Sequence, residues 1–87
     1  PGERMGHKDA IAVAERVHFL TTVGIAVRDA RTRAGVAQGE LAKRAGLASS
    51  TLFAVEDGRT CSLLCLTKIA HALDVTLDEL VPVDALP

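Results

Sequence analysis

Apolar residues recur three and four residues apart along most of the chain, and no long stretch alternates apolar and polar residues. The first spacing places apolar side chains on one face of a helix, whereas alternation is typical of strands. The pattern therefore predicts an all-α fold. It begins with a helical segment over residues 7–20, and a second helix follows, capped by Thr21 or Thr22 and ended by Gly35.

Four shorter helices are predicted after these two segments. Glycine is expected at helix ends because it adopts left-handed backbone readily, and proline because it cannot continue a helix. In order, the elements are a helix over Gln38–Ala45 ended by Gly46, one from Ser49 that ends before Gly58, one capped by Ser62 that runs to Leu73, and one that opens at Thr76 and ends at Pro82. The residues expected to face inward are Ile11, Ala14, Val17, Phe19 or Leu20, Ile25, Val27 or Arg28, Ala30, Leu41, Ala42, Ala45, Leu52, Val55, Leu63, Leu66, Ile69, Ala70 and Leu73.

At 87 residues, the chain has room for one small domain with a single core. That core must be aliphatic, because 48% of the residues are hydrophobic but only 2% are aromatic. We divide the chain into an N-terminal arm over residues 1–20, expected to be helical, a domain over residues 21–81 and a C-terminal tail over residues 82–87. No uninterrupted apolar run of 18 residues and no signal-peptide pattern is present, so we expect neither a membrane span nor secretion. The initial proline in place of methionine suggests processing.

Charge is unevenly distributed, although the net charge is only −1. Residues 1–27 are balanced. Residues 28–59 carry six basic and four acidic groups, a balance of +2, and residues 60–87 carry one basic and four acidic groups, a balance of −3. A nucleic-acid partner responds to the local field more than to the total charge, so the middle of the chain is the segment expected to bind phosphate.

The residue types that usually carry catalysis or bind metals are scattered. Cys61 and Cys65 share one helix face at a spacing of four residues, which suits neither a disulfide nor, with His71 alone nearby, a four-ligand zinc site. His7 and His18 lie on other segments, and no nucleophile–base pair is apparent. We therefore interpret the cysteines as small apolar residues in a reducing compartment, and we expect no enzyme, no cofactor and no metal.

Two of the short helices have helix-turn-helix spacing. They are joined by Gly46-Leu47-Ala48, and Ala42 and Val55 flank this turn as small or branched residues that allow a steep helix crossing. Further positions agree with one known family, namely Arg31 with Gly35, Gln38-x-x-Leu41-Ala42, Ala45-Gly46, Ser50-Thr51, Glu56-x-Gly58, and Ile69-Ala70-x-Ala72-Leu73 followed by Leu77-x-Glu79-Leu80. Through these motifs, residues 21–81 resemble the Cro/C1-type (XRE-like) helix-turn-helix family.

The resemblance implies a compact five-helix, lambda-repressor-like helix-turn-helix domain, here with an added N-terminal helical segment. It implies a sequence-specific, DNA-binding transcriptional regulator of the cytoplasm and nucleoid, a repressor that binds double-stranded DNA at an inverted repeat as a homodimer. In this family the second short helix enters the major groove, and the first helps to hold the phosphates. The residues assigned to DNA contact are Gln38, Lys43, Arg44, Ser49, Ser50, Thr51, Phe53, Ala54 and Arg59.

Arg31 and Glu56 are assigned a structural role instead. The resemblance implies that these two positions pair between the first family helix and the recognition helix. A largely buried guanidinium–carboxylate pair would fix the angle between the two helices. Arg28 and Arg33, by contrast, are expected to lie on a solvated helix face.

Six positions depart from the family pattern, and two of them, Leu64 and Cys65, stand where polar residues are common. Ala37 and Ala48 stand where Ser or Thr usually caps the two short helices, and each missing cap forgoes about 1 kcal/mol. Phe53 and Ala54 stand at outward positions that often hold polar residues. Their contacts with thymine methyl groups would discriminate less sharply than paired hydrogen bonds, so we expect weaker direct base readout and more dependence on half-site spacing and DNA shape.

Two apolar surfaces are candidates for the dimer contact. The first lies towards the C-terminus and comprises Leu64, Leu77, Leu80 and Val81. The second lies on the N-terminal segment, where Val13, Val17 and Phe19 either pack across a dimer axis or cover the domain's own core. The alternative function is an antitoxin-type module, in which exposed Phe53 docks a partner toxin or other regulatory protein and the chain regulates its own operon.

Overall fold

The computed structural model describes residues 7–81, and within them the backbone forms five α-helices and no strand. The helices are α1 (His7–Arg33), α2 (Gln38–Ala45), α3 (Ser49–Glu56), α4 (Leu63–Leu73) and α5 (Leu77–Leu80). The predicted all-α, five-helix architecture is confirmed. Residues 1–6 of the arm, the tail over residues 82–87 and the predicted helix end at Pro82 lie outside the described residues.

The N-terminal segment and the first helix of the domain form one continuous helix of 27 residues. The expected break at Thr21 or Thr22 is therefore wrong. The Thr22 hydroxyl donates to the carbonyl oxygen of His18 at 2.8 Å, so it bonds backward along the helix instead of capping a new one. The packing nevertheless changes along α1, because residues 9–18 are exposed and burial begins at Phe19.

All five helices contribute to one aliphatic core. The largest fully buried side chains are Leu41, Leu52, Ile69, Leu80, Val23, Val27 and Val55. Val23 and Val27 lie on the buried face of α1. Ile25 was expected on this face too, but it is not there. Because Ile25 is two residues from each of them, it points to the opposite side and is 63% exposed.

Other predicted inward positions are also exposed. Leu63 is the first residue of α4 and is 69% exposed, whereas the stripe that begins at Leu66 is buried as expected. Ile11, Ala14 and Val17 are exposed because the first half of α1 extends beyond the other helices. The core therefore begins later on both helices than the apolar pattern indicated.

Several predicted helix ends are confirmed. Gly35 and Gly46 adopt left-handed backbone after α1 and α2, with φ values of 71° and 69°. Ser62 caps α4, and its hydroxyl accepts the backbone N–H of Cys65 at 3.1 Å. Helix α4 ends at Leu73 as predicted, but its cap was not foreseen, since Asp74 takes the left-handed C-cap position with a φ of 56°.

By length and composition alone, Asp9–Arg33 of α1 could cross a membrane, with a mean hydropathy of 1.5. This finding corrects the expectation that no segment qualifies. An isolated helix of this kind is weak evidence for a span, because the core helix of a globular domain passes the same test. The second half of α1 is such a core helix, since Val23, Val27 and Ala30 pack against the other helices.

The crossing of α1 and α3 depends on a glycine that the sequence did not single out. A Cβ atom placed on Gly24 would lie 2.7 Å from the carbonyl oxygens of both Val55 and Glu56. Close by, a Cβ on Gly58 would lie 3.1 Å from the Cα atom of Thr21. The end of α3 therefore rests directly on the backbone of α1.

We expect Gly24→Ala to lower the free energy of unfolding by about 1–3 kcal/mol, because the added methyl group meets backbone atoms that cannot move aside. Urea titration followed by circular dichroism measures this change. The matched control is Gly39→Ala in α2, where an added Cβ meets nothing within 4 Å. That substitution should stabilise the chain by up to about 1 kcal/mol, as alanine favours helix over glycine. A Gly24→Ala variant as stable as the control would contradict the close contact.

Candidate nucleic-acid interface

The helices α2 and α3 form a compact helix-turn-helix. The turn begins at Gly46, whose left-handed backbone lets its N–H reach the carbonyl oxygens of Ala42 and Lys43 at the end of α2. Ala42 and Ala45 of α2 are buried, and their small side chains leave room for a neighbouring helix to approach closely. The turn thus holds α3 at a fixed angle to α2.

Each face of α3 has a distinct environment. Leu52, Val55 and Glu56 are buried against the rest of the domain. Ser49, Ser50 and Phe53 are exposed, whereas Thr51 and Ala54 are half-buried. Of the residues predicted on this face, Ser49, Ser50 and Phe53 are therefore presented most fully to a partner, and Phe53 is 50% exposed.

Asp57 was missed as part of the same outward face. It lies four residues after Phe53 and seven after Ser50, so it continues their stripe along the helix. The helical spacing alone could have revealed it. Its carboxylate is exposed and lies 3.0 Å from Nε of Arg59, which neutralises a negative charge on a surface expected to approach phosphates.

Arg59 also contacts the ring of Phe53. The guanidinium carbon lies 5.9 Å from the ring centroid, within the range of a cation–π interaction. The structure thus brings together Phe53, Asp57 and Arg59, of which the first and last were predicted as separate DNA contacts. The guanidinium already restricts the phenyl ring from one face. The ring therefore loses less conformational freedom on binding a partner with its other face than an unsupported ring would.

The two helices begin without side-chain caps, as predicted. Ala37 and Ala48 occupy the N-cap positions of α2 and α3 in extended conformation, and neither provides a capping hydrogen bond. The first backbone N–H groups of both helices consequently lack intrahelical acceptors. Together with the helix dipole, such groups favour an anion at these positions.

The Glu56 carboxylate is the centre of the ion-pair cluster that fixes α3. Its side chain is completely buried, and Arg31 donates to both oxygens, from Nε at 2.7 Å and from Nη2 at 3.1 Å. The remaining Nη1 of Arg31 donates to the carbonyl oxygen of Val36 at 3.0 Å. One arginine therefore ties α1, the loop before α2 and α3 together.

Two further donors approach the same carboxylate. The Gln38 amide donates to Oε1 at 3.2 Å, and Nε of Arg28 lies 3.6 Å from this oxygen. Gln38 was expected to bind a phosphate through this amide, but in the structure the amide donates to Glu56. Arg28, expected on a solvated face, has a side chain that is 60% exposed yet belongs to the cluster.

The other predicted phosphate-binding cations differ in their surroundings. Arg44 pairs with Glu40 one turn earlier on α2, and both side chains are about half exposed. Lys43 is exposed, and no ion pair among residues 7–81 involves it. Every acidic side chain of residues 28–59 is therefore paired with an arginine. Lys43 is the basic side chain of this segment for which no ion pair is described.

The two cysteines are free thiols, both partly buried. Burial raises the pKa of the Cys61 thiol, and the nearby Cys65 raises it further. A raised pKa disfavours the nucleophilic thiolate, in line with the interpretation of these residues as small apolar side chains. Within the part of the chain that the structure describes, no three His, Cys, Asp or Glu residues are grouped so that they could hold a metal ion.

We expect Arg31→Ala to lower the free energy of unfolding by about 3–5 kcal/mol, because it leaves a buried carboxylate without its main partner. Chemical denaturation measures the loss. Arg33→Ala is the matched control on the same helix, since Arg33 pairs with Asp29 where both side chains are more than 60% exposed. Its effect should stay within about 0.5 kcal/mol. Equal losses for the two variants would argue against a structural role of the Glu56 cluster.

The comparisons with known proteins agree with this geometry. A family model described as helix-turn-helix matches residues 27–80. The crystal structure of the restriction-modification controller protein C.AhdI from Aeromonas hydrophila is similar, with 39% sequence identity, a TM-score of 0.68, and coverage of 70% of this chain and 94% of that chain. No curated protein matches the chain significantly. The chain belongs to the XRE family of helix-turn-helix DNA-binding transcriptional regulators.

Proposed function

We propose that the chain represses transcription by binding, as a homodimer, an inverted-repeat operator in double-stranded DNA. The main support for this proposal is that the two faces of α3 differ. Leu52, Val55 and Glu56 are buried on one face, and the opposite face is exposed. A helix held in this way can lie in a major groove without rearranging the domain. Such a regulator works in the cytoplasm, at the nucleoid.

Phosphate binding is supported at the starts of α2 and α3. The free backbone N–H groups in the first turns of α2 and α3, after Ala37 and Ala48, can donate to phosphate oxygens. Lys43 adds a cation for which no carboxylate partner is described. Arg44 and Arg59 form exposed ion pairs with neighbouring carboxylates. Exposed pairs contribute at most about 1 kcal/mol, so exchanging the carboxylate for a phosphate costs little.

Base recognition is assigned to the exposed stripe of α3. The Ser50 hydroxyl can donate to or accept from a base edge, and the Phe53 ring can pack on a thymine methyl group. Asp57 adds an acceptor of the kind that binds the amino group of cytosine. Because few bidentate hydrogen bonds to bases are available, a single domain discriminates only modestly between DNA sequences. Two half-sites in a fixed arrangement supply the remaining specificity.

Removing the cation of Lys43 tests phosphate binding. We expect Lys43→Ala to weaken binding to all DNA sequences alike and to reduce the slope of log affinity against log salt by about one unit. Fluorescence anisotropy at several salt concentrations measures both effects. Lys68→Ala removes the same charge from α4 and is the control, with an expected slope like that of the wild type. Salt-independent binding by the wild-type chain would refute the DNA interface.

Selection of bound DNA from a random pool tests base recognition. We expect the wild-type chain to enrich an inverted repeat with half-sites about one helical turn apart. Ser50→Ala and Phe53→Ala should change the preferred half-site while thermal stability stays close to that of the wild type. Leu63→Ala, an exposed apolar residue of α4, should leave the preference unchanged. If both α3 variants select the wild-type operator, the reading face has been misplaced.

Under the antitoxin alternative, Phe53 binds a partner protein instead of DNA. This alternative predicts that a toxin is encoded beside this gene, and that Phe53→Ala weakens its binding while the DNA preference is kept. No described contact favours this function over operator binding.

A further inference from the structure

Arg59 is the only basic residue that α3 and the turn after it contribute. The helix itself, Ser49–Glu56, contains no lysine or arginine, and Arg59 is the only one between Arg44 and Lys68 in the sequence. The electrostatic contribution of this part of the surface to DNA binding therefore depends on whether the Arg59 guanidinium is free to bind a phosphate.

The backbone after α3 returns Arg59 to the helix. Asp57 keeps helical backbone, and its N–H donates to the carbonyl oxygen of Phe53 at 2.9 Å. Gly58 then takes the left-handed conformation, with a φ of 75°, and the N–H of Arg59 donates to the carbonyl oxygen of Ala54 at 3.0 Å. A left-handed ending of this kind joins the residue after the glycine to the last turn of the helix. Arg59 is therefore part of the same rigid unit as α3.

Two neighbours hold the Arg59 side chain on the outward face of α3. Nε lies 3.0 Å from Oδ2 of Asp57, and the guanidinium carbon lies 5.9 Å from the centroid of the Phe53 ring. Phe53 and Asp57 are about one helical turn apart, so the guanidinium lies against the stripe that carries the candidate base contacts. In the free chain, this cation already has a partner of its own.

The Asp57–Arg59 pair opposes binding to an arbitrary DNA sequence. If Arg59 stays with Asp57, the pair is neutral and releases no counterion from the DNA. If Arg59 leaves for a phosphate, the Asp57 carboxylate remains beside the DNA as an uncompensated negative charge. The exposed pair itself is worth at most about fivefold in an equilibrium constant, so the repulsion adds to a modest cost. In both cases, the surface binds DNA more weakly than Arg59 alone would.

One base removes this penalty. In the major groove, a carboxylate accepts a hydrogen bond from the N4 amino group of cytosine, whereas thymine presents the acceptor O4. A cytosine opposite Asp57 therefore takes the place of Arg59 beside the carboxylate and leaves the guanidinium free for a phosphate. A thymine there repels the carboxylate, and Arg59 stays where it is.

We propose that Asp57 is a specificity-determining residue that couples two DNA contacts, because Arg59 is released to a phosphate only where Asp57 accepts a hydrogen bond from cytosine. The coupling rests on the proposed function, since it requires α3 to lie in a major groove. Were the two contacts independent, a wrong base would cost one hydrogen bond and the phosphate contact would survive. With the coupling, a wrong base costs both contacts, so Asp57 discriminates more sharply than its own hydrogen bond allows.

Selection of bound DNA from a random pool identifies the base pair that Asp57 reads. We expect the wild-type chain to enrich cytosine at one position of each half-site, and Asp57→Ala to lose the preference at that position alone. The matched control is Asp29→Ala in α1, which breaks a similarly exposed pair with Arg33, at 3.2 Å, and should select the wild-type site. Retention of the full wild-type preference by Asp57→Ala would overturn the proposal.

The salt dependence of affinity tests the coupling itself. Fluorescence anisotropy compares the selected operator with a duplex in which thymine replaces the cytosine read by Asp57. For the wild-type chain, this exchange should lower affinity about tenfold or more and reduce the slope of log affinity against log salt by about one unit per domain. For Asp57→Ala, both duplexes should give the same high slope, since Arg59 is free on each. For Arg59→Ala, both should give the same low slope.

Other results would reject the coupling while operator binding stands. If the exchange to thymine weakens wild-type binding without changing the salt slope, Asp57 reads the base independently of Arg59. If Asp57→Ala raises the slope by the same amount on both duplexes, Asp57 acts only as a general repulsive charge. Because both substituted side chains are exposed, each variant should keep the wild-type helix content, which circular dichroism measures. A wild-type chain that enriches no DNA sequence would reject the proposed function and the coupling together.

Discussion

The buried carboxylate of Glu56 is the constraint on which the rest of the domain depends. A charge with no exposed surface must be matched by donors, and Arg31 supplies two of them while its third nitrogen holds the loop carbonyl of Val36. Gln38 adds a donor from the first turn of α2. Three elements therefore meet at one side chain, and neither α2 nor α3 can rotate without stranding that charge.

The close contact at Gly24 complements this electrostatic constraint. The Glu56 cluster fixes the direction in which α3 leaves α1, and the absence of a Cβ at Gly24 lets the end of α3 rest on the α1 backbone. With Leu52 and Val55 buried in the core, three sides of α3 are determined. The open side then carries Ser50, Phe53 and the Asp57–Arg59 pair as a rigid surface, the property needed for entry into a preformed groove.

The two halves of the long helix α1 have different surroundings. Its second half is a core element that supports α3, while its first half projects and exposes Ile11, Val13 and Val17. A hinge at Thr21 or Thr22 would have uncoupled the two halves, but α1 is continuous from His7 to Arg33 and Thr22 bonds back to His18.

The sequence alone determined the all-α class, the helix ends at Gly35 and Gly46 and the inward faces of α2 and α3, because periodicity and glycine backbone preference are local properties. Where a helix is apolar on several sides, as at Ile25 and Leu63, local pattern could not say which side the core would cover. Only the tertiary structure decided that, along with the remote contacts of Gly24 and the presence of Gln38 and Arg28 beside the expected Arg31–Glu56 pair. These contacts depend on how separate helices meet, and sequence spacing does not encode the distance between atoms of different helices.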